Sequence, residues 1–249
     1  MRVMALFSFD ISGKLAHWRR FDTNSSSLTY YFPTRTNLIG LLASILEIPR
    51  NKYYKIFSSE NIGIGISLKT KIRKKMTVLN YRNTKANPKE IYTQIRLELL
   101  MPENFEKNIT YRIYVYLKED ANEEAKEQYS ELFRRVSSGE IGFGIYFGQR
   151  QFRAQINNFQ ENYSIEKAET NEFTSLTRLV TVGVEDNLKF EENREYSTER
   201  IPCNFNERRE IEKLEDVVSE INGNSILLNK PMPAFLLKVK DTQEYIDFF

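Results

Sequence analysis

Apolar positions alternate or recur with enough regularity to predict most of the elements in the first two thirds of the chain. Arg2 to Ile11 predicts a strand with Val3, Ala5, Phe7, Phe9 and Ile11 on one side. Met4 and Leu6 on the other side predict that it is covered on both faces. The next twenty or so residues are polar and basic, without sustained period, and a loop of that length is usually functional or ordered by a ligand. Thr34 or Thr36 then offers an N-cap for a helix through Leu38, Ile39, Leu42, Ile45 and Leu46, ended by Pro49. Its apolar residues run almost all round, so it belongs against a sheet. Ile62, Ile64, Ile66 and Leu68 alternate with Gly63, Gly65 and Ser67, a strand with one apolar and one bare face. Residues 71–90 have no apolar rhythm; Ile91 to Leu100 and Tyr111 to Leu117 read as two more strands. Asp120 and Glu123 suggest a capping box for a helix whose face is Ala121, Ala125, Tyr129, Leu132, Phe133 and Val136, closed by Gly139.

Phe152 to Ile156 would supply a last strand, completing a β-α-β-β-α-β order, that of a ferredoxin-like or RNA-recognition-motif domain. The fold class expected is α+β: a ferredoxin-like domain over residues 1–160 with a basic hairpin or thumb at about 71–90. A β-rich subdomain over 161–249 follows, packed on the first because no linker separates them. Its expected strands are Tyr163–Ala168, Leu176–Val182, Asn187–Glu191 and Phe235–Val239. A helix is expected at 207–221, with Ile211, Leu214, Val218 and Ile221 on its face and Asn222-Gly223 as its stop.

Composition narrows the chemistry. One His and one Cys in 249 residues cannot form a zinc site of the usual His/Cys kind or an intrachain disulfide. No metal and no cofactor is expected. The start, MRVMALFSFD, lacks the pattern of a signal peptide, and the longest apolar run, Leu38 to Leu46, is far short of a spanning helix. A cytoplasmic protein is expected. The net charge of +2 hides an asymmetry: residues 1–89 carry sixteen Lys or Arg against four acids, and the remainder twenty against thirty. Between Asn61 and Lys89 there are eight bases and no acid. Such a division suggests a polyanion partner for the first part, although a solvated charge run reads the same way.

Candidate contacts fall in four places. Lys14, His17, Arg19, Arg20 and Tyr30 lie in the long loop, where the arginines would grip phosphates and Trp18 would anchor the loop or stack a base. Arg35 opens the buried helix, where free N–H groups favour phosphate. Arg73, Lys74, Lys75, Asn80, Tyr81 and Arg82, with Gln94 further along the chain, combine phosphate contacts, base-edge hydrogen bonds and a stacking ring. The run GFGIYFG fails the dinucleotide fingerprint and reads as a tight turn, with Arg150 and Arg153 beside it. His17 with Tyr and Lys could alternatively serve a metal-independent ribonuclease.

The segments FSFDISGKLAHWRRF and TYYFPTRTNLIGLLASIL resemble the N-terminal signature of the CRISPR-associated Cas five family of the RAMP superfamily. The residues concerned are Gly13, Ala16, Trp18, Arg19, Thr29, Tyr30, Pro33, Arg35, Thr36, Ile39, Gly40 and Leu41. LNYRNTK, YTQIRLELL and YFGQRQFRAQI are similar to later parts of the family, especially its subtype I-B branch, so the likeness covers roughly residues 1–160. It implies a RAMP fold with a thumb and a non-catalytic subunit of a type I Cascade complex. That subunit would bind the 5′ handle of the CRISPR RNA beside the backbone and large subunits, in antiviral defence, and could meet target DNA in the assembled complex. The branch that cleaves precursor RNA uses Tyr, Lys and His. This chain has no His in its second half, which departs from that branch.

Overall fold

The computed structural model describes residues 5–24, 26–82, 92–175, 187–249 and the backbone of 177–178. Its centre is an antiparallel sheet in the order β4-β7-β1-β8, formed by β4 (Ile62–Leu68), β7 (Ile109–Leu117), β1 (Leu6–Gly13) and β8 (Ala154–Gln160). Helix α1 (Arg35–Ile45) follows β1 and helix α2 (Glu123–Ser138) follows β7, so the chain crosses the sheet twice on helices. The register runs Leu6↔Tyr116 to Gly13↔Ile109 between β1 and β7, and Ile62↔Leu117 to Leu68↔Tyr111 between β4 and β7.

All eight residues of β1 are buried, and the two sides meet different partners. Phe7 packs on Tyr129 and Phe133 of α2, with ring centroids at 5.3 and 5.6 Å. Leu6, on the other side, joins Tyr114, Leu237, Ile246 and Phe248. The second cover comes from the C-terminal sheet β14-β13-β9, made of β9 (Ser164–Phe173), β13 (Ile226–Val239) and β14 (Thr242–Ile246). The bare glycine face of β4 exists for this contact: a Cβ on Gly65 would lie 2.7 Å from Ile246 Cγ2. A third sheet, β10-β12-β11, places β11 (Tyr196–Phe205) against α1 and pairs it with β12 (Ile211–Glu220); β10 is Thr177–Arg178. Ile201, Cys203 and Val217 share one core with α1 and the central sheet.

Thr34 is the N-cap of α1: its hydroxyl accepts from Asn37 N, and its own N–H donates to the Asn37 side chain. For α2 the cap is Asn122, whose side chain accepts from Ala125 N, instead of the expected Asp120–Glu123 pair.

The helix expected at 207–221 is a strand. β12 pairs with β11 from Tyr196↔Glu220 to Phe205↔Ile211, and Asn222-Gly223 is the turn after it. The helical spacing of Ile211, Leu214 and Val218 was misleading because Ile211 and Leu214 stay exposed and no core faces them. Adjacent Val217 and Val218 both bury, one on each side of the sheet. Residues 187–191 form only a bridge, Leu188↔Leu228, and most of the strand expected at Leu176–Val182 lies outside the described residues. Strands β11 and β14 carried no clear signal. Among the described residues no helix is long and apolar enough to cross a membrane.

Candidate nucleic-acid interface

Between β4 and β7 the chain leaves the central sheet as a long hairpin. β5 (Ile72–Arg82) pairs with β6 (Tyr92–Pro102) from Ile72↔Pro102 to Arg82↔Tyr92. Residues 83–91, including Asn83, Lys85, Asn87 and Lys89 of the basic stretch, lie outside the described residues. Arg73, Lys75, Asn80, Tyr81, Arg82 and Gln94 are exposed, and the register sets Asn80 opposite Gln94. Met76, Val78 and Tyr92 are exposed beside them, so the hairpin offers cations, amides and apolar faces together.

Lys74 does not belong to this surface. Its ammonium is held between Glu98 Oε2 at 3.7 Å and Glu199 Oε1 at 3.6 Å, and sits 4.1 Å from the Tyr31 ring centroid. Arg73 approaches Glu103 at 3.9 Å in the open, a contact worth little in water. The stretch without acids in sequence is therefore partly neutralised by acids that the fold brings to it.

The loop after β1 is ordered by the protein itself. Ala16 bridges Leu100 and Ser27 bridges Leu97, so the loop runs along the free edge of β6. Within it, β2 (Trp18–Arg19) pairs with β3 (Thr29–Tyr30). The expectation of a segment awaiting a ligand is corrected accordingly. His17 is buried: Nδ1 donates to Glu98 O at 2.7 Å, and Nε2 accepts from Ser27 Oγ at 2.9 Å. Burial is the largest influence on it and holds its pKa below the ordinary value. It is a packed ring instead of an RNA contact or an accessible base. Trp18 is the anchor, edge-on to Tyr111 and 5.2 Å from Phe147. Tyr30 is fully buried and donates to Arg200 O. Lys14 donates to the carbonyls of Phe105, Glu106 and Lys107, closing the turn before β7. Arg20 pairs with Asp22 and approaches Glu199. Of the five loop candidates, Lys14 and Arg19 are exposed without an acid partner among the described residues, and the Lys14 ammonium is already taken up by carbonyls.

Arg35 is the largest correction. Its guanidinium is wholly buried and donates to Phe249 O, Cys203 O, Asn204 Oδ1, Phe57 O and Ile62 O, at 2.8–3.3 Å. It turns inward and ties the helix start to β4, β11 and the C-terminal segment, away from any phosphate.

The helix start still borders an open space. A cavity of about 700 Å³ is lined by Thr34, Thr36, Asn37 and Ser44, by Trp18 and Arg19 of the loop, and by residues 143–146. Gly148 sits at its edge with φ +80°, and a Cβ there would lie 1.9 Å from His17 O. Close backbone approach is thus what this glycine serves. Arg150 and Arg153 are exposed just beyond it, and Arg153 Nη1 lies near Gly144. Arg50, Tyr53, Phe143 and Arg209 are also among the lining residues, and no sequence signal marked them. Arg50 follows the helix-ending Pro49, a position with no motif, and Arg209 was read inside a helix that does not form.

No family model matches the chain, and no curated protein matches it in sequence. Solved structures do. The fold is shared with a CRISPR protein from Archaeoglobus fulgidus, at TM-score 0.50 and 12% identity, over 97% of this chain and 98% of that one. A chain of a CRISPR RNA-guided surveillance complex aligns at TM-score 0.49 and 11% identity, over 90% and 91%. A chain of a Type III-B Cmr-beta assembly aligns at 0.48 and 10%, over 89% and 86%. At these identities the likeness to the first shows a common fold and nothing further.

Proposed function

We propose that the chain is a non-catalytic, RNA-binding subunit of a CRISPR effector complex, specifically a Cas five-type subunit of type I Cascade. In this reading it holds the 5′ handle of the CRISPR RNA next to the backbone and large subunits in the cytoplasm. The observation that carries the proposal is the β5–β6 hairpin, which projects Arg73, Lys75, Asn80, Tyr81, Arg82 and Gln94 into solvent from a CRISPR-protein fold. Cations on such a hairpin serve phosphates, and amides with an exposed ring serve unpaired bases. The sheet order β8-β1-β7-β4 with two crossing helices supports reading the first part as a ferredoxin-like domain, with the hairpin as its thumb. The resemblance over residues 1–160 supports the same assignment. Burial of the single His favours a binding role over the ribonuclease alternative.

The test is fluorescence anisotropy of the full chain with a labelled handle RNA and a scrambled strand of equal length. Tighter binding of the handle, selectively weakened by Asn80→Ala or Tyr81→Ala, is expected. Equal affinity for both strands would reject the handle assignment. Specific cleavage of repeat RNA in EDTA would establish the ribonuclease instead.

A further inference from the structure

Arginines on this surface are either paired with a carboxylate or left without one among the described residues, and Arg82, Arg96, Arg150, Arg153 and Arg208 belong to the second kind outside the cavity. Arg112, Arg134, Arg135, Arg194 and Arg200 each contact a carboxylate, from the far side of the central sheet to the C-terminal half. Arg19, Arg50 and Arg209 make no ion pair with any described residue, and all three line the same cavity. They arrive from three separate segments: the loop after β1, the connection after α1, and the β11–β12 turn. No carboxylate is among the lining residues. Three cations around one cavity with no carboxylate among its lining favour an anion there.

Aromatic rings complete the wall. Phe21, Phe143 and Tyr146 line the cavity and are 44%, 67% and 44% exposed. Of the other exposed rings, Tyr81 and Tyr92 stand on the hairpin, whereas Phe105 lies under Lys14 and Phe190 packs edge-on to Tyr196. Arg209 adds an independent sign. Its φ is +65°, where a side chain is strained and Gly or Asn is preferred. The turn is held by Asn206 Oδ1, which accepts from the N–H groups of Arg208 and Glu210. An arginine at this position presents a cation at a backbone cost that a ligand contact would offset.

We propose that this cavity seats one or two unpaired nucleotides of an RNA strand, with Arg50 and Arg209 on phosphate and Phe143 and Tyr146 on base faces. Its size falls within the roughly 300–1,000 Å³ of small-ligand sites. Planar guanidinium groups beside rings suit a phosphate next to a base better than they suit an acidic protein surface, which needs no stacking platform. The site is bipartite, since Arg209 comes from the C-terminal half that otherwise carries the excess of acids. This inference rests on the RNA-binding reading and adds a second contact area, distinct from the hairpin.

The test uses the full chain and a fluorescein-labelled oligouridylate of about ten nucleotides, within the span of single-stranded sites. Three variants are compared: R50Q with R209Q, R209G alone, and the hairpin set R73Q, K75Q and R82Q. Losing two phosphate contacts should flatten the plot of log K against log salt by about 1.4, at about 0.7 per phosphate. Affinity at physiological salt should fall about tenfold or more. R209G should weaken binding without lowering the melting temperature, because glycine relieves the left-handed residue. A 4-thiouridine probe should crosslink within residues 143–146. If the hairpin set weakens RNA while both cavity variants bind as wild type, the cavity assignment is overturned and the RNA-binding reading stands. If the wild-type chain binds no RNA, both fall together.

Discussion

Replacing Arg35 separates two accounts of the same residue, a phosphate contact at a helix start and a buried tie. Its guanidinium satisfies four main-chain oxygens and the Asn204 side-chain oxygen. Burial depresses its pKa from the ordinary arginine value to about 10, so it remains charged at pH 7, and that depression corresponds to roughly 3 kcal/mol of lost solvation. The hydrogen bonds must exceed that loss. In Arg35→Lys the ammonium has three donors, so at least two of the five acceptors lose their partner. Each buried acceptor left unmet costs about 1–3 kcal/mol, giving about 2–6 kcal/mol for two. Arg35→Met removes the buried charge but abandons all five acceptors, and a net loss of about 3–5 kcal/mol follows by analogy with removing one partner of a buried charge network. Against a total stability of about 5–15 kcal/mol, the Met variant can fail to fold, and the Lys variant is then the informative one. Urea unfolding gives the midpoint and slope, and RNA affinity is measured on folded Arg35→Lys. A loss of stability with unchanged RNA affinity is expected. Stability within about 0.5 kcal/mol of wild type, the range of ordinary surface substitutions, together with a large drop in RNA affinity, would refute the buried-tie account.

On the hairpin, R73Q, K75Q and R82Q together should flatten the salt dependence of RNA binding by about 1–2 units, at about 0.7 per phosphate with partial contacts; K74Q should leave that slope unchanged and lower the melting temperature. Gly148→Ala should destabilise by about 2–4 kcal/mol in chemical unfolding, because a Cβ 1.9 Å from His17 O and a left-handed φ cannot both be accommodated. His17 is kept neutral in the fold while the unfolded chain takes up a proton near pH 6.5, so stability should fall as pH drops below about 6.5, with a slope approaching 1.4 kcal/mol per pH unit. Burial raises Glu199 instead, so the folded chain holds its proton longer and the opposite trend arises just above pH 4.5. The difference between wild type and His17→Gln, measured by urea unfolding at pH 7.5 and 5.5, isolates the His17 share, and equal slopes for the two would reject it.

The central sheet and both helices were legible because their apolar periods coincide with real faces. β1 reads as covered on both sides, and it is, by α2 and by the C-terminal sheet. β12 was not legible, since helical spacing of four apolar residues and a two-faced strand end look alike without knowledge of what lies opposite. The residues that carry the family resemblance turn out to be mostly internal. Gly13, Ala16, Trp18, Thr29, Tyr30, Arg35 and Ile39 are buried or closely packed. They fix how the loop, α1 and the hairpin edge meet, and so specify the framework that presents a ligand surface instead of the surface itself. Reading Arg35 or His17 as contacts mistook a framework signature for a binding one.

Charge behaved in the same way. A run of eight bases without an acid marks the right region, because exposed Lys75 and Arg82 do come from it. Yet Lys74 lies between Glu98 and Glu199, and Lys69 reaches Glu244, so two of the eight bases are neutralised by acids 24 or more residues away. The converse holds at the cavity, where Arg19, Arg50 and Arg209 are far apart in sequence and form no charge run at all. Net charge along a chain is a one-dimensional average, whereas binding responds to charges that remain unpaired within a Debye length of about 8–10 Å. What identifies the candidate site is the residue left without a carboxylate after folding, and that property emerges only when strands from both halves are set beside one another.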